Sequence, residues 1–212
     1  MTGIELDPAI AKKQKSARER RLETIQVPLH RLVGTLALTI LVFAHEWFQT
    51  GAMVWHAPLY FLGVGFVYWA ATTALLAGCF RPDSRLPLVF LVGDIGVWLF
   101  AIYLTGVNES LLFILLVLRA ADQGHTNVAR VLFVGHVSVA GYLGLLSWWH
   151  WGLGHEVPWS SESLKLACVY LVNLYLSTTT ITAARLRDRT REAIHLARQA
   201  IVDLEEAKGR AE

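Results

Sequence analysis

The sequence predicts an all-α polytopic membrane protein: a six-transmembrane-helix bundle followed by a cytoplasmic coiled-coil helix. Hydrophobic residues make up 54% of the 212 residues and charged residues only 17%, whereas soluble domains contain about 25% charged residues. The charge is also segregated, with 12 charged residues between positions 32 and 184 and 24 in the remaining 59 positions. The poorly charged part contains six long apolar runs.

Each predicted span is an apolar run that ends at charged or turn-forming residues. A bilayer core about 30 Å thick requires roughly 20 apolar residues of helix. The six runs are Leu32–Phe48, Leu59–Cys79, Leu86–Tyr103, Leu111–Ala121, Ala129–Trp149 and Leu164–Ala184. The fourth run is the shortest. Because the connections are short, we expect consecutive helices to be antiparallel neighbours.

The chain therefore divides into a basic N-terminal segment over 1–31, a bundle over 32–184 and a helix over 185–212. A soluble helical protein does not account for the segregated charge, and buried β-strands would be shorter than these runs. The net charge of +2 gives no indication of a nucleic-acid partner. Membrane lipid is the expected environment.

Basic residues fall almost entirely on one side of the predicted bundle. The six-span arrangement places 18 of the 19 Lys and Arg residues on the side of the two termini, and Lys165 is the exception. By the positive-inside rule, both termini are then cytoplasmic. Six tryptophans lie near the opposite face, as in an interfacial aromatic belt: Trp47, Trp55, Trp148, Trp149, Trp151 and Trp159.

The tail continues from span six without Pro or Gly until Gly209, which predicts one long helix. Apolar and small residues recur there at alternating steps of four and three, the seam of a left-handed coiled coil. From Thr190 onward the seam comprises Ile194, Ala197, Ile201, Leu204, Lys208 and Ala211. β-Branched residues at a and Leu at d favour a parallel homodimer. The alternative is one amphipathic helix lying on the membrane surface.

Two stretches of the sequence carry a family resemblance. The first is Asp94 in span three together with the turn Tyr103-Leu-Thr-Gly-Val-Asn-Glu-Ser110, and the second is Leu204-Glu-Glu-Ala-Lys-Gly-Arg-Ala-Glu212. The first is similar to the aspartate and Thr-Gly…Ser turn of the six-helix membrane sensor regions of bacterial sensor histidine kinases. The second resembles the signalling helix that runs into the dimerisation domain in hybrid kinases.

This resemblance implies a transmembrane input module of a two-component system, located in the bacterial inner membrane as a multi-pass protein. It also implies a cytoplasmic kinase domain in cis after Glu212 and a response regulator as partner. The chain departs from the kinases because neither His195 nor the pairs His45-Glu46 and His155-Glu156 form a phospho-acceptor motif at a cytoplasmic position. No catalytic motif is recognisable in these residues, so the sequence predicts the input half alone.

Three polar side chains inside the spans are candidates for sensing a ligand or a proton. Counted at 1.5 Å per residue from the cytoplasmic ends, Asp94 and His136 lie at about 12 and 10 Å and Asn173 at about 16 Å. A bond from His136 or Asn173 to Asp94 would form a cluster whose protonation or occupancy biases helix packing. The alternative is a static interhelical hydrogen bond. Arg119 and Asp122 could pair with each other or with the start of span five, and a structural anchor is their expected role.

Histidines and carboxylates near the outer ends of the spans are candidate zinc or copper ligands. They are His45, Glu46, His56, His150, His155 and Glu156. Since they lack a local ligand spacing, interfacial histidines with unrelated partners are the alternative. The sequence identifies no cofactor.

Two other functions remain open at this stage. A membrane-embedded transporter or enzyme would use Asp94, His136 and Asn173 as a proton or substrate path, although no inverted repeat is evident. A sensor attached to a nucleotide cyclase would share the same membrane part and tail.

Overall fold

The computed structural model describes residues 25–79, 86–122 and 128–211, and all regular structure in these ranges is helical. Six α-helices lie in this part of the chain: α1 Val27–Thr50, α2 His56–Cys79, α3 Leu86–Leu104, α4 Leu115–Asp122, α5 Val128–Ser147 and α6 Trp159–Ala211. A 3₁₀ turn, Leu111–Ile114, precedes α4, and a π-helical segment, Trp148–Gly152, extends α5. The all-helical prediction is confirmed for these residues.

Four helices are long and apolar enough to cross a membrane. They are α1, α2, α5 with its π-helical extension, and α6. Helix α3 contains a shorter apolar stretch, Leu88–Leu104. Together with its 3₁₀ turn, α4 is about 18 Å long and falls short of a bilayer core about 30 Å thick. The chain is thus a helical, multi-pass membrane protein, with α4 the shortest of its helices.

Several helices begin earlier than the apolar runs indicate, and polar groups in their first turns have hydrogen-bond partners in the bundle. Helix α1 begins at Val27, five residues before the predicted span, and its Pro28 carbonyl accepts a hydrogen bond from Trp69 Nε1 at 2.9 Å. Helix α6 begins at Trp159 rather than Leu164, and Glu162 in its first turn is buried and bonded. A hydropathy profile does not detect such pairs, so it places the starts of these helices too late in the sequence.

The helices alternate in direction. The turn between α3 and α4 brings Thr105 Oγ1 within 2.6 Å of Ser110 Oγ, and at the other end of the same two helices Asp94 pairs with Arg119. We call the end with Arg31, Arg119 and Arg130 the arginine end. The opposite end, which carries Trp47, Trp55, Trp148, Trp149, Trp151 and Trp159, is the tryptophan end.

Helix α3 is central and packs against α1, α2, α4 and α5. Its contact with α5 is close because a Cβ at Gly141 would lie only 2.6 Å from Leu99 Cδ1. Short α4 packs against α3, α5 and α6 and so connects the centre of the bundle to the last helix. Many large apolar side chains on the outer faces are exposed, as expected of helices that face lipid.

Helix α6 changes character along its 53 residues. Up to Thr180 one face is buried against the bundle, whereas from Arg185 onward every described side chain is exposed. The seam residues Ile194, Ile201 and Leu204 are 49%, 57% and 71% exposed. The tail is one continuous helix to Ala211, and its pairing with a second copy stays a prediction.

Candidate functional site: a buried aspartate that joins four helices

Asp94 lies at the centre of a polar cluster at the arginine end. Its carboxylate is buried and lies 3.0 Å from Arg31 Nε of α1. It also pairs with Arg119 Nη2 of α4. Tyr68 Oη of α2 donates to Asp94 Oδ1 at 2.8 Å. We call these four residues the Asp94 centre. It ties four helices to one carboxylate because Asp94 stands on the central helix.

The local sequence makes room for these partners. Gly93 precedes Asp94, and a Cβ there would lie 2.6 Å from Tyr68 Oη, so a larger residue would displace the tyrosine. The Arg31 guanidinium also lies over the Phe90 ring, 5.2 Å from its centroid. An ion pair removed from water requires such additional contacts to offset its desolvation. Arg31 and Arg119 are only 10% and 19% exposed.

A cavity of about 330 Å³ adjoins the Asp94 centre. All four residues of the centre line it, and its remaining wall is formed by polar residues near the start of α1 and by apolar residues of α1 and α3. The charged groups are therefore within reach of a small molecule, although the carboxylate itself is buried.

The predicted partners of Asp94 are wrong. His136 is exposed; its Nδ1 donates to the Leu132 carbonyl at 2.7 Å, and its Nε2 lies 3.5 Å from Tyr170 Oη. The contact of α5 with α3 is made through Gly141. Five residues of α-helix separate Gly141 from His136, a rotation of about 140° that turns the histidine away.

Asn173 is buried at a separate place, between α5 and α6. A Cβ on Gly135 would lie 3.0 Å from Asn173 Cβ, which shows how closely the two helices approach. Neither amide atom of Asn173 has a hydrogen-bond partner among the described residues, nor does the buried Ser138 hydroxyl. Asn173 thus lies in the interface of α5 and α6 and makes no hydrogen bond to Asp94.

The candidate metal ligands do not converge. Among the residues that the structure describes, no group of three His, Cys, Asp or Glu side chains could hold a metal ion. His45 Nε2 lies 3.4 Å from the Glu109 carbonyl, and His150 Nδ1 donates to the His155 carbonyl at 2.9 Å. The His155 ring stacks on Trp149. Backbone and aromatic contacts thus engage these histidines separately, which fits the alternative of interfacial histidines with unrelated partners. The described structure does not assemble a metal site from the candidate ligands His45, Glu46, His56, His150, His155 and Glu156.

A second buried carboxylate lies at the tryptophan end. Glu162 is fully buried and accepts hydrogen bonds from Tyr142 Oη at 2.8 Å and from Lys165 Nζ at 2.7 Å. We call these three residues the Glu162 cluster. Lys165, the one basic residue that the six-span arrangement leaves on the outer side, is explained by this pair. The same ammonium donates to the Asn108 carbonyl at 2.7 Å and lies over the Phe113 ring.

The turn that Lys165 contacts is backbone-strained. Gly106 has φ +83° and Val107, which is fully buried, has φ +41°, a conformation that β-branched residues rarely adopt. Ser110 closes the turn by accepting from Leu112 N at 3.2 Å. The stretch that resembles the sensor turn is therefore a tight link between α3 and α4, bonded through Lys165 to the start of α6.

Sequence reasoning singled out Asp94 but missed its partners. Arg31 and Arg119 were counted as markers of membrane orientation or as an anchor, and Tyr68 lay unremarked in span two. The sequence carries one signal for these partners, which is their depth along the predicted spans. Arg31, Arg119 and Tyr68 all lie within two to three helical turns of the depth of Asp94. The side chain of Asp122, the expected partner of Arg119, lies outside the described residues. The chain matches no family model, no curated protein and no solved structure.

Proposed function

We propose that this chain is the membrane sensor module of a signal-transduction protein, in which the bundle controls a cytoplasmic output domain through α6. The observation that carries the proposal is the continuity of α6. One uninterrupted helix packs into the bundle over its first half and leaves it as an exposed helix with a heptad seam. A transporter or membrane-embedded enzyme has no need of such a tail.

The two halves of α6 share one heptad register. Glu162, Val169, Asn173 and Thr180 are buried against the bundle. They occupy the same seven-residue positions as Ile194, Ala197, Ile201 and Leu204 in the tail. A rotation or shift of α6 against the bundle would therefore move the seam with it, since an α-helix is stiff over this length.

A chain of contacts links the Asp94 centre to α6. Arg119 of the centre belongs to α4, and α4 packs against α6. A ligand or proton that alters the Asp94 ion pairs would change how α4 sits against α6. The signal is then a population shift between two helix packings. This mechanism requires two states with different affinities for the stimulus, which a binding site at the centre provides.

The remaining elements of the proposal follow from the sequence. We place six spans and both termini of the chain on the cytoplasmic side of a bacterial inner membrane, with a parallel homodimer through α6. A histidine kinase domain and a response regulator are the expected output. A nucleotide cyclase as output would use the same membrane part and would leave the relay unchanged.

Disulfide cross-linking of the tail tests the relay helix. In the full chain carrying Cys79→Ser and Cys168→Ser, Ile201→Cys should cross-link between subunits in membranes, because position 201 lies on the seam. Asp203→Cys is the matched control, exposed on the same turn but pointing away from the seam. Equal cross-linking at both positions contradicts a coiled coil.

Reporter fusions test the orientation. Fusions at Gly106 and His155 should report the outer side, and a fusion at Asp83 should report the cytoplasm. A cytoplasmic signal at Gly106 would remove the six-span arrangement, since it requires that α3 does not cross.

A further inference from the structure

We propose that the cavity at the arginine end binds a phosphate group, with Arg31 as its main ligand and Asp94 as its competitor. The inference deepens the proposed sensor function, on which its signalling meaning rests, by naming the class of group that the site recognises. The phosphate can belong to a phospholipid of the facing leaflet or to a small phosphate ester in solution.

The donors of Arg31 exceed what Asp94 can accept. A guanidinium carries five N–H donors, and a carboxylate accepts at about four positions. Asp94 already receives Arg31 Nε, Arg119 Nη2 and Tyr68 Oη. Arg31 Nη1 is buried without a hydrogen-bond partner among the described residues. The Arg31 side chain is nine-tenths buried and forms part of the cavity wall, so a small reorientation would present its free donors there.

The wall of the cavity suits an oxyanion with a short apolar part. Near the start of α1, His30 and Gln26 contribute polar side chains, while Val97 and Trp98 of α3 contribute apolar surface. The His30 ring is held by its own helix, because its Nδ1 donates to the Gln26 carbonyl at 2.7 Å. A volume of about 330 Å³ lies at the lower end of ligand sites, which run from about 300 to 1,000 Å³.

The position of the site favours phosphate over carboxylate. Arginine forks bind phosphate oxygens bidentately, and a tetrahedral oxyanion can accept from donors that come from several directions. Here the donors come from the start of α1 and from the end of α4. Arg31 and Arg119 lie within about 6 Å of the helix ends, the level where lipid phosphates border the hydrocarbon core.

Phosphate and Asp94 compete for the same guanidinium. A phosphate that takes Arg31 Nε from Asp94 would loosen α1 from α3 and leave the carboxylate to Tyr68 and Arg119, so the ion pair that connects α4 to the centre would change as well. Binding therefore favours a packing in which α1 is less tightly attached. This competition distinguishes a ligand site from a static ion pair. Substitution of the arginine should lower the affinity for phosphate, whereas substitution of the aspartate should raise it.

Binding is measured on the purified full chain in maltoside detergent. Native mass spectrometry follows retention of phosphatidylglycerol against a galactolipid that lacks phosphate, and calorimetry follows glycerol phosphate. We expect the chain to retain phosphatidylglycerol in preference to galactolipid. Arg31→Gln should weaken binding about tenfold, as expected for one lost charge-assisted interaction. Asp94→Asn should strengthen it several-fold by removing the competitor.

Two further variants keep the test decisive. Gly34 lines the cavity, and a Cβ there would meet nothing within 4 Å. Gly34→Leu therefore retains every charge while it adds a side chain at the cavity wall. It should weaken phosphate binding as much as Arg31→Gln does. Arg130→Gln removes the same charge at an exposed position of α5 and should leave binding within about twofold. Binding of glycerol phosphate together with the lipid identifies a soluble ester as ligand, whereas lipid alone identifies a headgroup site.

The assignment would be overturned if Arg31→Gln and Arg130→Gln reduced the binding affinity equally. It would also be overturned if Asp94→Asn bound phosphate more weakly than the wild type while its helix content and elution volume stayed intact. Binding of a carboxylate amphiphile in the absence of phosphate binding would overturn it as well. Phosphate binding needs no output domain, and the cross-linking of α6 needs no phosphate. Failure of either proposal is therefore visible without the other.

Discussion

The Asp94 centre and the Glu162 cluster solve the same problem in different ways. Each places a carboxylate inside a helical bundle and pairs it with a cation and a tyrosine. Glu162 takes its lysine from the next turn of its own helix, and among the described residues only Tyr142 reaches it from another helix. Asp94 takes every partner from a different helix. The first arrangement holds one helix end in place, whereas the second depends on how four helices sit together.

The surroundings of the two carboxylates also differ in how far a ligand can reach their partners. Glu162 is fully buried, and Lys165 adds a bond to the turn before α4. The Asp94 centre borders a cavity that Arg31 and Arg119 help to line. A charge whose partners are interhelical and within reach of a ligand can be perturbed by that ligand, while a locally paired one resists perturbation. We therefore expect the tryptophan end to act as the fixed support of the bundle and the arginine end to be the part that a ligand can adjust.

The largest effect is expected from Asp94→Leu. The substitution leaves Arg31 and Arg119 close together without their shared carboxylate, and removal of one partner of a buried ion pair costs about 3–5 kcal/mol. The free energy of unfolding of the purified chain, measured by titration with sodium dodecyl sulfate in mixed micelles, gives the loss. Asp94→Asn is the control and should lose less, because its amide still accepts hydrogen bonds. A loss under 1 kcal/mol for Asp94→Leu would mean that the centre does not hold the four helices together.

A smaller effect is expected from Lys165→Met. Among the described residues Glu162 then keeps Tyr142 as donor, so the loss should lie near the lower end, about 3 kcal/mol, of the cost of removing one partner of a buried ion pair. The double variant Lys165→Met with Glu162→Gln should lose less than the two single losses together, because the two side chains interact directly. Additive losses in the same unfolding assay would show that Lys165 acts through Asn108 alone.

The smallest effect is expected from Gly106→Ala in the turn between α3 and α4. The positive φ of Gly106 is disfavoured for alanine by about 1 kcal/mol. Gly144→Ala is the matched control, since Gly144 lies in α5 with no neighbour near its Cβ position. If both alanines changed the free energy of unfolding equally, the conformation of the turn would carry no stability of its own.

The depth of each polar residue along its span could be predicted from the sequence, but the direction in which its side chain points around the helix could not. Asp94 stood out because a charge inside an apolar run is costly unless it is paired. His136 shares its approximate depth, yet its side chain points away from α3 because Gly141 makes the contact. The role of the arginines could not be predicted for a related reason. A basic residue near the end of a span indicates membrane orientation, and the sequence does not show whether its side chain points inward to a buried partner.

The tail shows the opposite case. Its helix could be predicted to Ala211 because local propensity and the absence of proline determine it, and no distant partner is needed. Asn173 lies between the two cases. Its burial follows from the register of α6, but its close contact with Gly135 depends on how α5 and α6 pack, which a single sequence does not encode locally.

In the proposed mechanism, the Asp94 centre controls α6. The cross-linking rate of Ile201→Cys, in the Cys79→Ser and Cys168→Ser background, should therefore depend on the Asp94 ion pairs. We expect Asp94→Asn to change this rate by about threefold or more through a shift between two packings. Arg130→Gln, which removes a charge from the same end outside the centre, should leave the rate as it is. An unchanged rate in Asp94→Asn, at normal expression and insertion, would show that the Asp94 centre does not control α6.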